Sequence, residues 1–195
     1  MTKKIILLAG PTASGKSRLA IQLAKKLDGE IINADSMQVY KEFSILSSRP
    51  NRKELRKIKH HLYGIISVKK NFSAGDWLKL AKNRISRCLK DRKIPIIVGG
   101  TGLYFNTITK GISKIPNIDP KTRKKVRSLF KKIGHNNFYE KLLKIDPKVK
   151  NKIISTDSQR VQRAYEVAFK TNKSLFDWTK ETKSDFINYE IKKVF

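Results

Sequence analysis

An apolar run, Ile5-Ile6-Leu7-Leu8-Ala9, leads directly into Gly10-Pro11-Thr12-Ala13-Ser14-Gly15-Lys16-Ser17. A short apolar run without alternation reads as a strand buried on both faces of a parallel sheet. The segment after it fits G-x-x-x-x-G-K-[ST] in full, and the spacing of Leu19, Ala20, Leu23, Ala24 and Leu27 predicts a helix from Lys16 that Gly29 ends. Strand, glycine-rich turn and helix are the context in which this motif cradles phosphates. Its glycines let backbone N–H groups converge on phosphate oxygens, and the helix start adds its positive end. Lys16 would bridge the outer phosphates and Ser17 would ligate Mg²⁺. The motif specifies a di- or triphosphate, not what is attached to it.

A second short strand is predicted over Glu30 to Ala34, with Asp35 at its C-terminal end. The result is a βαβ unit. Ile94 to Val98 predicts another buried strand, followed by Gly99-Gly100-Thr101-Gly102 and a helix start over Leu103 to Ile108. Between them, Ser73 is placed to cap a helix running to Leu89, and Tyr63 to Val68 reads as a strand. The expected fold class is therefore α/β, a P-loop NTPase-like three-layer α/β/α arrangement with a parallel sheet. The texture changes after Gly111. Ile112 to Pro120 reads as a linker, and helices are predicted over Thr122 to Ile133, Asn137 to Ile145, Pro147 to Ile153, Asp157 to Lys170 and Ser174 to Thr182. A strand is predicted again in Ile187 to Phe195. The expected division is residues 1–114 as the α/β core, 115–185 as a small helical lobe and 186–195 as a return to the core. Trp77 and Trp178 both fall on helical apolar faces and are expected in the core.

Lys and Arg number 44 against 16 Asp and Glu, a net charge of +28. That balance excludes an acidic disordered tail and points to a polyanionic partner, nucleic acid before an anionic membrane. The competing explanation is a lysine-rich surface serving solubility alone. Cys88 is the single cysteine, so no intramolecular disulfide and no cysteine-rich zinc site is possible. The N-terminal apolar run is too short for a signal segment or a membrane span. The chain is expected to be cytoplasmic, to avoid membranes and to act as a monomer.

Asp35 lies within reach of the phosphate loop in this topology, where it can ligate a metal, accept a proton, bind a ribose or cap the next turn. Gln38, in Ser36-Met37-Gln38-Val39-Tyr40, has the amide that pairs with an adenine edge. The small residues at Gly99 to Gly102 let a substrate approach the backbone, and Thr101 offers a hydroxyl there or caps the following helix. His60 and His61 lack further metal ligands nearby in sequence, which leaves core, capping or phosphate-contact roles. Arg123 opens a basic helix, and Gln159 and Arg163 share one face of another. No run of four apolar residues ending in Asp supplies the separate magnesium strand of a hydrolytic NTPase.

Read together, GPTASGKS (Gly10 to Ser17), NADSMQVY (Asn33 to Tyr40), VGGTGLY (Val98 to Tyr104) and DSQRVQR (Asp157 to Arg163) resemble, in order, the tRNA dimethylallyltransferase (tRNA isopentenyltransferase) family. His60-His61-Leu62 and the SAGDW around Ala74 fit as well. The block after Tyr40 departs from the family's DIGTAKP: it reads Ser44-Ile45-Leu46-Ser47-Ser48-Arg49-Pro50. The resemblance also implies that the chain lacks the family's C-terminal third.

The resemblance implies transfer of a dimethylallyl group from dimethylallyl diphosphate to N6 of adenosine 37 in a tRNA anticodon stem-loop, with Mg²⁺ required and diphosphate released. Gly10, Pro11, Thr12, Ala13, Ser14, Gly15, Lys16 and Ser17 would hold the diphosphate. Asp35, Lys16 and Thr101 would be the catalytic residues, Asp35 taking the proton from the adenine amine. Asp35, Ser36, Met37, Gln38, Thr101, Arg123, Gln159, Arg160, Val161, Gln162 and Arg163 would contact the tRNA. Two rival readings remain: an RNA-binding module without turnover, and a P-loop small-molecule kinase. DSMQVY beside GGTG argues against the kinase.

Overall fold

The computed structural model describes residues 3–195. The chain divides into two compact units: one runs to Gly111 and resumes at Ser184–Phe195, and the other is Ile112–Lys183.

The first unit is built on a sheet of five strands among the described residues: β1 (Lys4–Ala9), β2 (Gly29–Asn33), β3 (His60–His61), β4 (Ile94–Gly99) and β5 (Glu190–Val194). Their order is β3-β2-β4-β1-β5 and every pairing is parallel. The alternation of each strand sorts its side chains onto two faces. Ile5, Leu7, Ile32 and Ile97 pack under α3 (Ala74–Lys90) and α4 (Gly102–Thr109). Ile6, Leu8, Ile31, Ile96 and Val98 pack against Ala20 and Ala24 of α1 (Lys16–Lys26). The expected three-layer arrangement follows, with both sheet faces buried as the apolar runs require.

Local signals set most element boundaries. Ser73 caps α3, and a reciprocal bond with Asp76 completes a capping box. Three expectations are corrected. Gly29 does not end α1: the helix closes at Leu27, Asp28 takes a left-handed φ of 51°, and Gly29 opens β2. A side chain at Gly29 would sit 2.7 Å from the Ile94 carbonyl, so glycine is there for strand approach. Tyr63 to Val68 is not a strand. Leu62 and Gly64 adopt positive φ (64° and 56°), which breaks the extended chain and leaves His60–His61 as the paired segment plus a bridge between Tyr40 and Ile66. Residues 41–60 are less regular and strongly basic in sequence and predict no element, yet they hold a short helix, α2 (Arg52–Lys57), with Asn51 and Glu54 forming another capping box.

The second unit is helical. α5 (Pro120–Ile145) is interrupted at Gly134 (φ 75°, ψ 177°), which separates the two helical stretches read from sequence. α6 (Ser158–Thr171) is capped by Asp157, whose carboxylate accepts from the Arg160 amide, and α7 (Leu175–Lys180) follows Ser174. Phe138, Leu142, Val149, Val161, Ala164 and Tyr165 form its core. Pro147 to Ile153 is corrected from a helix to a 3₁₀ turn over Pro147–Val149. Trp178 is half-buried rather than core: its Nε1 donates to Thr171 Oγ1 and Lys173 lies over its ring. Trp77, by contrast, is fully buried in the first unit.

One buried polar group needs explanation. Glu30, on β2, is 6% exposed. Its Oε2 accepts from His61 Nε2 at 2.7 Å and from the Cys88 thiol at 3.4 Å, and Lys59 lies 3.4 Å from Oε1. Burial pushes the Glu30 carboxyl upward, but these donors outweigh it and hold it below its ordinary value. Burial, then the neighbouring carboxylate, pushes the Cys88 thiol up to about 12. A carboxyl with a depressed folded-state pKa stabilises the fold above its unfolded pKa, and that contribution is lost as pH falls through the folded value. Glu30→Gln should therefore lower stability at neutral pH by about 1–3 kcal/mol. In thermal melts the gap between wild type and variant should be full above pH ~5 and shrink below pH ~4.

Candidate functional site

The sheet register brings three strand ends to one level. Leu8 is opposite Val98, which is opposite Asn33, and Ala9 is opposite Gly99. The chain leaves β1 toward α1 on one face and leaves β4 toward α4 on the other, so the crevice between them is a topological switch point. Three segments open onto it: the phosphate loop, the Asp35–Val39 turn and the glycine pair after β4.

Backbone geometry, not side-chain bulk, joins the last two segments. The Ala34 N–H donates to Val98 O at 2.7 Å, and the Thr101 N–H donates to Ala34 O at 3.2 Å. A methyl group on Gly99 would overlap the carbonyl carbon and oxygen of Ala34. At Gly100 it would stand 3.4 Å from the Gly10 carbonyl oxygen and 3.9 Å from Asp35 Oδ2. Gly100 thus marks where the phosphate loop and the Asp35 carboxylate come closest to a shared point.

Asp35 is half-buried and held from several sides. Its N–H donates to Asn33 Oδ1 (2.9 Å), and its carbonyl accepts from Asn33 Nδ2 (3.0 Å). Its Oδ1 accepts from the Met37 N–H (2.9 Å), an Asx turn that leaves Oδ2 facing Gly100. Thr101 is the N-cap residue of α4, but its hydroxyl does not cap the helix. Oγ1 accepts from the Ser36 N–H at 2.9 Å and donates to Ser36 Oγ at 3.2 Å, tying the turn after β2 to the turn after β4.

In the phosphate loop, Ala13 and Gly15 take positive φ (64° and 80°), the curl that aims successive N–H groups inward. Lys16 Nζ lies against the Pro11 carbonyl and 3.4 Å from Ser14 Oγ. Thr12 to Arg18, Asp35, Met37, Gln38, Leu46 to Ser48, Glu54, Tyr63, Val98 and Gly99 line one cavity of about 510 Å³. A larger cavity, about 730 Å³, lies at the opposite, N-terminal ends of β1 and β4, among Lys3, Lys4, Lys93 and Ile94, away from the phosphate loop. Tyr63 is a phenol whose pKa is pushed up by burial first and by Asp35 and Glu54 second.

The oxygen donors Ser17 and Asp35 face the same cavity and suit a hard cation such as Mg²⁺. Glu30, His61 and Cys88 also cluster, with one ligand atom each within 4.8 Å of the others. That donor set, with its thiol and imidazole, does not suit Mg²⁺. Glu30 also lies near the start of β2, whereas Asp35 follows that strand's C-terminal end.

The structure brings Lys16, Ser17, Asp35, Met37 and Gln38 into one cavity, and Ser36 and Thr101 against each other at its edge. Gln38 Nε2 donates to Ser47 O at 2.7 Å, which ties it to the 43–49 segment. Arg49, in the divergent block, donates to the Tyr40 and Lys41 carbonyls and packs onto Gly64. In the helical unit, Arg160 is exposed and pairs with Asp157 at 3.3 Å. Arg163 and Arg123 flank the buried Glu166 at 3.5 Å and 4.0 Å. Gln159 is exposed, and Gln162 donates to Ser158 O. Val161 is a correction: it is fully buried in that unit's core, because position 161 falls on the inner stripe of α6, so its side chain cannot contact a nucleic acid. Asn33, Tyr63, Glu54 and Leu46 were not singled out from sequence. A buried polar residue ending an apolar strand was the available signal for Asn33; Tyr63 was read only as the start of a strand, and the irregular 41–60 region carried no signal for Glu54 and Leu46.

Parallel sheet, phosphate loop and switch-point cavity define a P-loop α/β protein. Comparison with known proteins makes this specific, and the chain belongs to the IPP transferase family, whose sequence model matches residues 38–195. It is similar to a tRNA dimethylallyltransferase of Pelagibacter ubique, 56% identical over 183 residues, which span 94% of this chain and 58% of the relative. A Rickettsia bellii tRNA dimethylallyltransferase is 46% identical over 90% of this chain and 56% of its own length. Among solved structures, a eukaryotic dimethylallyltransferase acting on tRNA superposes with a TM-score of 0.83 at 33% identity, covering 100% of this chain and 48% of that one. The full-length tRNA isopentenylpyrophosphate transferase of Bacillus halodurans gives 0.57 at 34% identity, over 89% of this chain and 57% of its own. The chain thus spans a little over half the length of the curated relatives it matches.

The glycine at position 99 is testable by itself. Gly99→Ala forces β2 and β4 apart at Ala34 and should cost about 1–3 kcal/mol, an overpacking penalty. A lowered melting temperature would check this, and an unchanged one would mean that the two backbones do not meet there.

Proposed function

We propose that the chain transfers a dimethylallyl group from dimethylallyl diphosphate to N6 of adenosine 37 in tRNA and releases diphosphate. One observation carries the reading: the phosphate loop and the Asp35 carboxylate line the same cavity. The names and activities of the relatives support the choice of substrates.

Backbone N–H groups between Gly10 and Ser17, the start of α1 and the Lys16 ammonium hold the diphosphate. Their positive charge stabilises the negative charge that builds on the leaving oxygen as the allylic C–O bond breaks. Ser17 is the residue that would hold Mg²⁺, which when bound would neutralise the departing diphosphate. The adenine amine is a weak nucleophile because its lone pair is delocalised into the ring. Asp35 Oδ2, the oxygen not held by Met37, accepts a proton from N6 as the C–N bond forms. Thr101 and Ser36 fix the backbone that carries Asp35. Met37 and Gln38 line the space for the target base, which must leave its stack to reach the carboxylate.

Affinity for tRNA comes from the basic helical unit. Lys121, Lys124, Lys125, Arg127, Lys131 and Lys132 are exposed along α5, and Arg123, Gln159, Arg160, Gln162 and Arg163 contribute contacts to the anticodon stem-loop. Such contacts go mostly to phosphates and position the RNA rather than read it. No described helix is long and apolar enough to cross a membrane. We place the chain in the cytoplasm and expect a monomer to suffice.

The test is Asp35→Ala in the 195-residue chain. Transfer should fall at least ~100-fold while stem-loop retention on a filter changes little. Equal loss of binding and transfer would contradict the proton-accepting role. Arg123→Ala should weaken stem-loop binding without changing the rate at saturating RNA, and should reduce the salt slope of binding by about 1. A filter-binding series at several salt concentrations reads that slope.

A further inference from the structure

We infer that Asn33 is a positioning residue for Asp35, an inference that rests on the proton-accepting role proposed above. Asn33 is the last residue of β2 and has no exposed surface. An amide side chain has one acceptor and two donor hydrogens, and here both ends are used. Oδ1 accepts from the Asp35 N–H at 2.9 Å, while Nδ2 donates to the Asp35 carbonyl at 3.0 Å and to the Leu62 carbonyl at 3.1 Å. The same side chain therefore grips the Asp35 peptide by its donor and its acceptor. Two torsions further out, Oδ1 is held in turn by the Met37 N–H, so the grip on the backbone and the Asx turn together set where Oδ2 stands.

The grip belongs to a closed circuit. The Asn33 carbonyl accepts from Trp77 Nε1 at 2.7 Å. The Trp77 ring stacks on Tyr104 of α4, with centroids 4.4 Å apart and planes 7° apart. The Tyr104 N–H donates to the Thr101 carbonyl at 3.0 Å, and the Thr101 hydroxyl accepts from the Ser36 N–H, next in chain to Asp35. Every link except the stack is a directional hydrogen bond, and Trp77 and Tyr104 are almost wholly buried. Asn33 is the point where the circuit turns from core to site. With no exposed surface of its own, it acts through Asp35.

Removing the amide strands the Asp35 N–H and two carbonyls and frees the carboxylate by a few tenths of an ångström to an ångström. Displacements of that size cost ~100-fold in well-oriented reactions. A scaffold residue and a positioning residue differ in how they combine with Asp35, so a double-mutant cycle separates them. Asn33→Ala should lower kcat ~10–100-fold, with the KM for dimethylallyl diphosphate and stem-loop affinity within about 2-fold. In the Asp35→Ala background the same substitution should have no further effect. Asn33→Ser, whose hydroxyl can accept from the Asp35 N–H, should recover part of the rate. It also stands in for Asn33→Ala in the cycle should that variant fail to melt cooperatively. A reduction of the Asp35→Ala residual rate by the same factor, or equal loss of RNA affinity, would overturn the inference. If the wild-type chain transfers nothing, the proposed function falls, and the positioning claim is read from hydrogen exchange instead. The Asp35 amide should exchange at least ~10-fold faster in the asparagine variant, with β1 amides unchanged. Unchanged exchange at Asp35 would overturn it.

Discussion

A methyl group cannot be placed on Gly99 without entering the Ala34 carbonyl. The contact between β2 and β4 at that point sets where everything above it can stand. Ala34 bonds back to Val98 and forward to Thr101, so the two strands part only after their backbones have been locked together. Asp35 leaves one side, Gly100 the other, and the Gly10 carbonyl closes the third side. The site is thus a property of sheet register and backbone approach, and its side chains are mounted on that frame.

Two kinds of electrostatics meet in this protein. In the first unit the charge is local and directed: curled amides and Lys16 at the phosphate loop, and the half-buried Asp35 carboxylate opposite. In the second unit it is diffuse, a face of lysines and arginines on α5 whose few acidic partners, such as Glu166, pin individual arginines without neutralising the surface. Directed charge suits a small leaving group that must be stabilised at one atom. Diffuse charge suits a long polyanion that must be held along its backbone. Division of the chain into two compact units matches that difference in task.

Much of this was legible in the residues. An apolar run followed by GPTASGKS forces a strand, loop and helix, because no other local structure satisfies both the hydrophobic run and the glycine spacing. Ser73 announced α3 as its cap, and the structure completes that cap with a reciprocal local bond to Asp76. What failed to read was tertiary. Tyr63 to Val68 has the composition of a strand, yet positive φ at Leu62 and Gly64 turns it away from the sheet. Gly29 looks like a helix stop and is instead a close approach to Ile94. Val161 sits inside a motif rich in polar residues, and only the phase of α6 shows that it faces the core. Asn33 stood in plain view as a polar residue at the end of a buried strand, but its partners lie up to 44 residues away and no spacing rule connects them.

In the proposed reaction, one cavity joins diphosphate departure to proton removal from an adenine amine. The most direct measurement follows label from dimethylallyl diphosphate into an anticodon stem-loop incubated with the purified chain and Mg²⁺, with the RNA then digested and the labelled nucleoside identified. Label is expected on N6 of the target adenosine, with release of one diphosphate for each label incorporated. Diphosphate released without label in the RNA, or label on another atom, would contradict that reaction.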